Sequence, residues 1–308
     1  MLEKPLISIA LCTFNGDRFL REQLDTLVNQ DYPSKEIVAV DDASSDTTLS
    51  ILQEYAEKFP FISIHENQQN IGFRKSFERA ILLSKGSLIA LCDQDDVWMP
   101  EKLTLMEAQI GENQLIYHDS AFIKENGQSL NKNMSDVVNM YAGDNYKPFL
   151  FFNSVSGHAC MFKRSLVPYI LPLPVSIYHD HWIAYVAANL GTISYIARPL
   201  VQYRQHDHAR TNILKVSDRK PIDYVSGKNK ILSTLAGFET MSNFKFNKEP
   251  AFLRRLVKIY RKRLTLPINF NLITFMFEHY QSFLCISKKN AFSNTNFIFK
   301  HLWGLKLK

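Results

Sequence analysis

Residues 92–98 read Cys-Asp-Gln-Asp-Asp-Val-Trp and put three carboxylates, Asp93, Asp95 and Asp96, within four residues. Acids this close repel one another unless a positive group lies among them. A divalent cation is the simplest such group, and Mg²⁺ or Mn²⁺ suits oxygen ligands. With one residue between them, Asp93 and Asp95 can converge on one ion or share a ligand. A cation there would neutralise a diphosphate and stabilise it as a leaving group. We assign Asp95 to the metal and Asp93 to a nucleoside. The plain alternative is an acidic turn that opens a helix at Pro100–Glu101. A second group, His179-Asp180-His181-Trp182, opens an otherwise apolar run. Asp180 is either a helix N-cap, worth about 1 kcal/mol, or a general base that accepts a proton from a hydroxyl. Trp182 would then stack on a substrate ring. His206 and His208 lie in a polar stretch, where either could meet a metal or a phosphate. His206 is preferred, because a strand-like run ends just before it. Arg204 either grips a diphosphate bidentately or forms a surface ion pair.

These residues need a frame. Residues 6–12, 36–40, 61–64 and 87–92 read as short strands, separated by helices that end near residues 29, 59 and 84. Four βα alternations predict an α/β fold: an open, mostly parallel central sheet flanked by helices. Asp41-Asp42 and Asp93/Asp95 follow strands two and four, so they share the carboxyl edge, where open α/β sheets bind ligands. Strand one ends in Thr13-Phe14-Asn15-Gly16 rather than a G-x-G-x-x-G turn, and no P-loop lysine motif occurs; dinucleotide binding and ATPase chemistry are not indicated. Further on, a helix is expected over 103–110, strands over 115–118, 155–163 and 192–196, a helix over 180–189, and a long irregular loop over 124–148. Loops of that length are often functional. We read residues 1–214 as one domain, with a nucleotide-binding half (1–120) and an acceptor-binding half (121–214). Residues 215–308 form a basic, mostly helical C-terminal region.

Composition narrows the class. The chain has 308 residues, 46% hydrophobic and 21% charged, as an ordinary globular protein does. Cys12, Cys92, Cys160 and Cys285 are scattered without a C-x-x-C pair, which points to free thiols in a reducing compartment. No secretory signal and no run of eighteen apolar residues is apparent. The net charge of +6 is uneven: from Ala251 onward the only acid is Glu278, against eleven Lys/Arg. Within 252–264, seven apolar residues fall on one helical arc and the basic residues on the other, with Arg263 intruding on the apolar face. Such a helix either packs on the domain or lies on an anionic membrane surface. The Phe-rich stretch 270–299 would add an apolar helix or an oligomer contact. The acidic front half and the absence of a base-reading motif argue against nucleic acid as a partner.

Taken together, Thr13-Phe14-Asn15-Gly16, Asp41-Asp42-Ala43-Ser44-Ser45-Asp46, Asn70-Ile71-Gly72-Phe73, the 92–98 acids with Glu101-Lys102-Leu103, residues 156–162, His179–Trp182 and Tyr203–His206 resemble family 2 glycosyltransferases of the GT-A fold. The rhamnosyltransferase-like branch is the nearest match, over roughly residues 5–210. The resemblance implies an inverting enzyme that uses a nucleotide-diphospho-sugar donor. Thr13, Asn15, Asp41, Asp42 and Asp93 would hold the nucleotide, with Gly157 and Arg204 at the sugar and diphosphate. Asp95 and His206 would hold Mg²⁺ or Mn²⁺, Asp180 would be the base, and His158 and Trp182 would face the acceptor. Family members usually carry a Glu-Asp pair at the base; here it is His179-Asp180, which leaves one carboxylate. The branch implies dTDP-L-rhamnose and a lipid-linked glycan acceptor of a bacterial surface polysaccharide. The enzyme would then work in the cytoplasm, peripheral to the inner face of the plasma membrane. A UDP-hexose or UDP-N-acetylhexosamine donor, and a non-catalytic scaffold subunit, are the alternatives.

Overall fold

A computed structural model describes residues 4–206 and 224–305. His208 and the expected 214/215 boundary lie outside them. The chain begins with three βα units: β1 (Ile7–Thr13), α1 (Asp17–Val28), β2 (Lys35–Asp41), α2 (Thr48–Lys58), β3 (Ile62–Glu66) and α3 (Phe73–Leu83). Then come β4 (Leu88–Cys92), β5 (Val97–Trp98), α4 (Lys102–Ile110), β6 (Leu115–Lys124) and β7 (Ser129–Asn133). The second half holds β8 (Cys160–Lys163), α5 (Val167–Ile170), α6 (His179–Leu190) and β9 (Ile193–Gln205). It is followed by α7 (Tyr224–Ser242), α8 (Pro250–Arg261), α9 (Phe270–Glu278), α10 (Tyr280–Leu284) and α11 (Ala291–Phe299).

One sheet runs β3-β2-β1-β4-β8-β6-β9-β5, with β7 on the edge of β6. The first four strands are parallel to one another. β8 then runs antiparallel to both β4 and β6, so the sheet is mixed in its second half. Period-two alternation explains why β1 carries apolar residues on both faces: Ile7, Ile9 and Leu11 enter one core layer and Ala10 the other. Helices α1, α2 and α4 cover the first layer. Helices α3 and α6 cover the second, and the C-terminal helices extend it.

Three local expectations differ from the structure. The strand expected over 192–196 continues to Gln205, because Pro199 falls where the β6–β9 register shifts and a missing N–H is tolerated. The strand expected over 155–163 is reduced to Cys160–Lys163; Gly157–Ala159 make a tight turn instead. The loop after residue 124 contains β7 and a capped turn at Met134–Asp136.

The basic helix is corrected more sharply. Leu253, Leu256 and Tyr260 of α8 are buried, and Phe252, Val257, Ile259 and Leu264 pack against the same core. Arg263 is buried too, and its guanidinium donates to the carbonyls of Trp303 and Lys300 and to the Tyr260 hydroxyl. The apolar arc of 252–264 is therefore filled by protein and is not offered to lipid. Among the described residues, no helix is long and apolar enough to cross a membrane.

Arg204 is likewise not free for a diphosphate. Its Nε donates to Asp95 O (2.8 Å), one terminal nitrogen to Glu125 O (2.8 Å) and the other to Glu22 Oε2 (2.6 Å). Its backbone N–H donates to Asp96 Oδ1 at 3.0 Å. This buried fork ties the end of β9 to the acidic loop, the β6–β7 turn and α1. A point charge cannot reach all three acceptors, so Arg204→Lys should lower the unfolding free energy by about 2–4 kcal/mol. Urea titration reads this directly, and an unchanged midpoint would make the fork dispensable.

Candidate active site

The chain leaves strand β1 and crosses to β2 on one side, while β4 lies on the other. A crevice opens where the order reverses, at the carboxyl ends of the strands. There lies a cleft of about 990 Å³. Thr13, Asn15, Asp42, Asp93, Asp95, Gly157, His158, Asp180 and His206 all line it, although they come from six separate stretches of chain.

The wall next to β1 and β2 is a set of hydrogen-bonded turns. Asn15 takes a left-handed φ of 46°, which asparagine tolerates, and its side-chain Oδ1 accepts from the Ser45 backbone N–H. The Gln94 side chain accepts from Phe14 N (2.8 Å) and donates to Phe14 O (3.1 Å), joining the loops after β1 and β4. A Cβ on Gly16 would lie 2.3 Å from that side chain, so the clamp requires glycine. Asp42 accepts from Asn67 Nδ2, Ile71 N and Gly72 N, which fixes the approach to α3. Asp41 departs from expectation. It is fully buried and accepts from the Thr13 hydroxyl, Ser44 N and the Ser44 hydroxyl, so it orders the turn below the cleft and does not line it.

The floor is acidic. Asp93 keeps part of its surface open to the cleft, yet burial, with Asp95 and Asp180 close by, pushes its carboxyl up to about 7. Asp96 is fully buried and held well above the usual carboxylate range by burial, then by Asp95 and Asp93. Among the described residues its Oδ2 accepts no hydrogen bond. Asp93, Asp96 and His158 each bring one donor atom to within 4.8 Å of the others. Asp95 Oδ2 instead meets His206 Nε2 at 2.8 Å. Burial holds His158 down at about 3, so its ring is neutral; Nε2 lies 2.9 Å from the Ser120 hydroxyl. Lys102 is the one cation below this floor among the described residues. It is fully buried, pushed down to about 7 by burial, donates to His158 O at 2.6 Å, and sits 3.1 Å from the centre of the Trp98 ring. Carboxylates with a neutral imidazole are a donor set for a hard divalent cation. The unpartnered Asp96 oxygen fits that reading.

The opposite wall is the start of α6. Asp180 stands in its first turn, accepts from His181 N (2.6 Å) and from Gly157 N–H, and is nevertheless raised to about 6 because burial outweighs those bonds. Gly157 matters for closeness: a Cβ there would be 3.0 Å from His179 Nε2 and 3.9 Å from the Asp180 Cβ. His179 is buried, stacked on Phe77 at 4.5 Å and pushed down to about 3 by burial. Trp182 does not face the cleft. Its ring stacks on Tyr185 and its N–H donates to Ile170 O, which makes it a core residue on the side of α6 away from Asp180. Tyr178, half exposed at the rim, is the aromatic of this stretch that lines it, beside Phe73 and Phe77. The sequence assigns no separate role to Lys102, Gln94 or Tyr178, although Lys102 stands in the matching stretch Glu101-Lys102-Leu103. A lysine at the start of an apolar helix was the one visible sign.

Comparison with known proteins agrees with this layout. The family model for glycosyl transferase family 2 matches residues 8–170. An uncharacterized glycosyltransferase of Haemophilus influenzae is 24% identical over 247 residues, 73% of this chain and 75% of that protein. The crystal structure of S. aureus TarS 1-349 in complex with UDP-GlcNAc aligns with a TM-score of 0.59, over 90% of this chain and 81% of that one, at 17% identity. The mannosyltransferase PcManGT from Pyrobaculum calidifontis, in complex with GDP-Man and Mn2+, aligns with a TM-score of 0.54 over 86% of this chain and 72% of that one, at 18% identity. At such identity the structures speak for the fold, and the fold is the GT-A type. The matched segment covers more than half of the chain and carries both the acid cluster and the wall beside it: the chain belongs to glycosyl transferase family 2 and is a glycosyltransferase.

Proposed function

We propose that this glycosyltransferase transfers a sugar with inversion from a nucleotide-diphospho-sugar to a hydroxyl of a bacterial surface glycan carried on a lipid. The observation that carries the reading is Asp180, a partly buried carboxylate that lines the same cleft as the acidic floor. Thr13, Asn15, Asp42 and Asp93 bind the nucleoside part of the donor. Asp95 and His206, with Asp93, Asp96 and His158 beside them, would hold Mg²⁺ or Mn²⁺, which supplies neutralisation of the diphosphate when bound. Gly157 lets its backbone come close to the transferred sugar. Asp180 takes the proton of the acceptor hydroxyl while that oxygen attacks the anomeric carbon. The bond to the diphosphate breaks on the opposite face, and one displacement inverts the centre. His158 holds the floor behind the sugar. We take the donor to be dTDP-L-rhamnose, on the resemblance of the motifs to the rhamnosyltransferase-like branch, and the place of action to be the cytoplasmic face of the plasma membrane. A UDP-N-acetylhexosamine donor is the second reading, favoured by the fold it shares with TarS, which was crystallised with UDP-GlcNAc.

Purified protein should release nucleoside diphosphate from one member of a panel of dTDP-, UDP- and GDP-sugars once a lipid-linked acceptor is supplied. Asp180→Asn should lower kcat by about 10²–10⁴-fold while donor binding, read by calorimetry, stays within a few-fold. Equal loss of donor binding would make Asp180 a binding residue instead. Release from a UDP-sugar alone would replace the rhamnose reading and keep the class.

The acid limb of the pH profile follows from burial. Asp180 is raised to about 6, so it is protonated below that pH and cannot act as a base. kcat/KM should fall about tenfold per pH unit below 6, and the residual rate of Asp180→Asn should lack that limb. A profile flat down to pH 5 would remove Asp180 from the proton transfer.

Chelation by EDTA should abolish turnover, and Mn²⁺ or Mg²⁺ should restore it. Asp95→Asn should raise the metal concentration needed for half-maximal rate by about 10–100-fold. Full activity in EDTA would leave the acids a purely nucleotide-binding role.

A further inference from the structure

The apolar residues of the basic region are not all satisfied by the core. Helix α9 buries Leu272, Ile273, Phe275 and Met276, yet leaves Phe270 and Phe277 exposed, seven residues apart on one face. Helix α11 repeats the pattern: Ile298 is buried, while Phe292 and Phe299 are exposed at the same spacing. The two faces meet, since the Phe277 and Phe299 rings are 5.7 Å apart. Trp303 joins them through its bridge to Ile268, just before α9, and is 57% exposed. Single exposed apolar residues are ordinary, but four exposed phenylalanines on two helices whose rings touch, with an exposed tryptophan beside them, concentrate apolar surface in one region.

The charges around the patch identify what covers it. Lys300 follows Phe299, Lys289 stands three residues before Phe292, and Lys262 four before Leu266, which is also exposed. None of these lysines takes part in an ion pair among the described residues. The only acid after residue 251, Glu278, is matched to Arg255 at 3.7 Å. A second copy of the chain would bring lysine against lysine at this surface, a repulsion that specific interfaces avoid. An anionic bilayer satisfies both features. Phenylalanine and tryptophan rings settle at the headgroup boundary, and lysines without ion pairs are attracted to anionic lipid.

We propose that the exposed face of α9 and α11, with Trp303, docks the enzyme on an anionic lipid bilayer. This deepens the reading of a bilayer-borne acceptor and rests on it. It also replaces the apolar arc of 252–264 as the lipid contact. Helix α8 contributes only its outward cations, Arg254 and Lys258 among them, as long-range attraction.

Vesicle binding tests the surface without donor or acceptor. The full chain should sediment with phosphatidylcholine vesicles that contain phosphatidylglycerol, weakly with phosphatidylcholine alone, and less as salt rises. Trp98 and Trp182 are already buried, so the blue shift of tryptophan emission on binding should come from Trp303 and vanish in Trp303→Phe. Phe292→Ser combined with Trp303→Ser should weaken binding by about tenfold or more. Lys289→Glu with Lys300→Glu, a pair with no packing role, should remove the salt-sensitive part. All of these substitutions lie on the surface and should leave the melting temperature unchanged. No binding to phosphatidylglycerol vesicles, or binding unaltered by the aromatic pair, would overturn the proposal. So would a dimer in light scattering that the aromatic pair dissolves while vesicles fail to bind. Sugar-nucleotide turnover in solution is a separate readout. Its failure with vesicle binding intact would strike the functional reading, and the converse would strike this surface alone.

Discussion

Carboxylates crowded into a low-dielectric cleft are the constraint around which the molecule is arranged. Asp93, Asp95 and Asp96 follow the end of β4 and Asp180 faces them from the first turn of α6, and burial drives three of the four above their ordinary range. Left to themselves they would protonate or push the loops apart. The fold answers with fixed partial charges and one buried ammonium. Asp96 takes the Arg204 backbone N–H, Asp95 takes His206, Asp180 takes two backbone N–H groups, and Lys102 lies underneath against Trp98. These partners do not neutralise the set: Asp96 keeps an oxygen without a hydrogen bond among the described residues. What remains is an electrostatic demand for positive charge in the mouth of the cleft, which a cation brought with an anionic donor would meet.

That demand explains the division of labour between the sheet's halves. The parallel half delivers Thr13, Asp42 and Asp93 from adjacent strand ends, where register fixes them. The mixed half supplies the opposing wall through a strand too short to do more than pair, β8, and the turn at Gly157. The start of α6 adds its N-terminal dipole to that wall, favouring an anionic Asp180 just where burial disfavours it. A base poised near 6 is a balance of these two effects. A fully solvated carboxylate would be a weaker base, and one buried without the N–H groups would be protonated at neutral pH.

How much of this was legible in the sequence depends on the range of the signal. Local apolar runs gave the first four strands to within a residue or two, and strand ends gave the acids. The same runs missed β5, which exists only because Val97 and Trp98 pair with β9 more than a hundred residues away. They also ended β9 too early, since Pro199 looks like a terminator until the bulge it occupies is known. Among site residues, those placed by a turn next to a strand lined the cleft. Asp41, Arg204 and Trp182 do not line it, and their polar groups are taken by Thr13 and Ser44, by two carbonyls and Glu22, and by Ile170. Residue type announces that a guanidinium or carboxylate will find a partner. It does not say whether that partner is substrate or backbone.

The C-terminal region makes the same point with apolar surface. Helical periodicity over 252–264 correctly separates an apolar from a basic face, but a protein core and a lipid interface ask for the same separation. What distinguishes them is the apolar area left over once the core has closed. On α8 little is left, because Leu253, Leu256 and Tyr260 are inside and their neighbours lean on them. On α9 and α11 the inward positions are filled by Leu272, Phe275, Met276 and Ile298, while Phe270, Phe277, Phe292 and Phe299 stay exposed on the other side. A helix that is apolar on two faces has more hydrophobic surface than its own fold consumes. Where lysines without ion pairs surround the surplus, a charged apolar boundary is the environment that accommodates both at once.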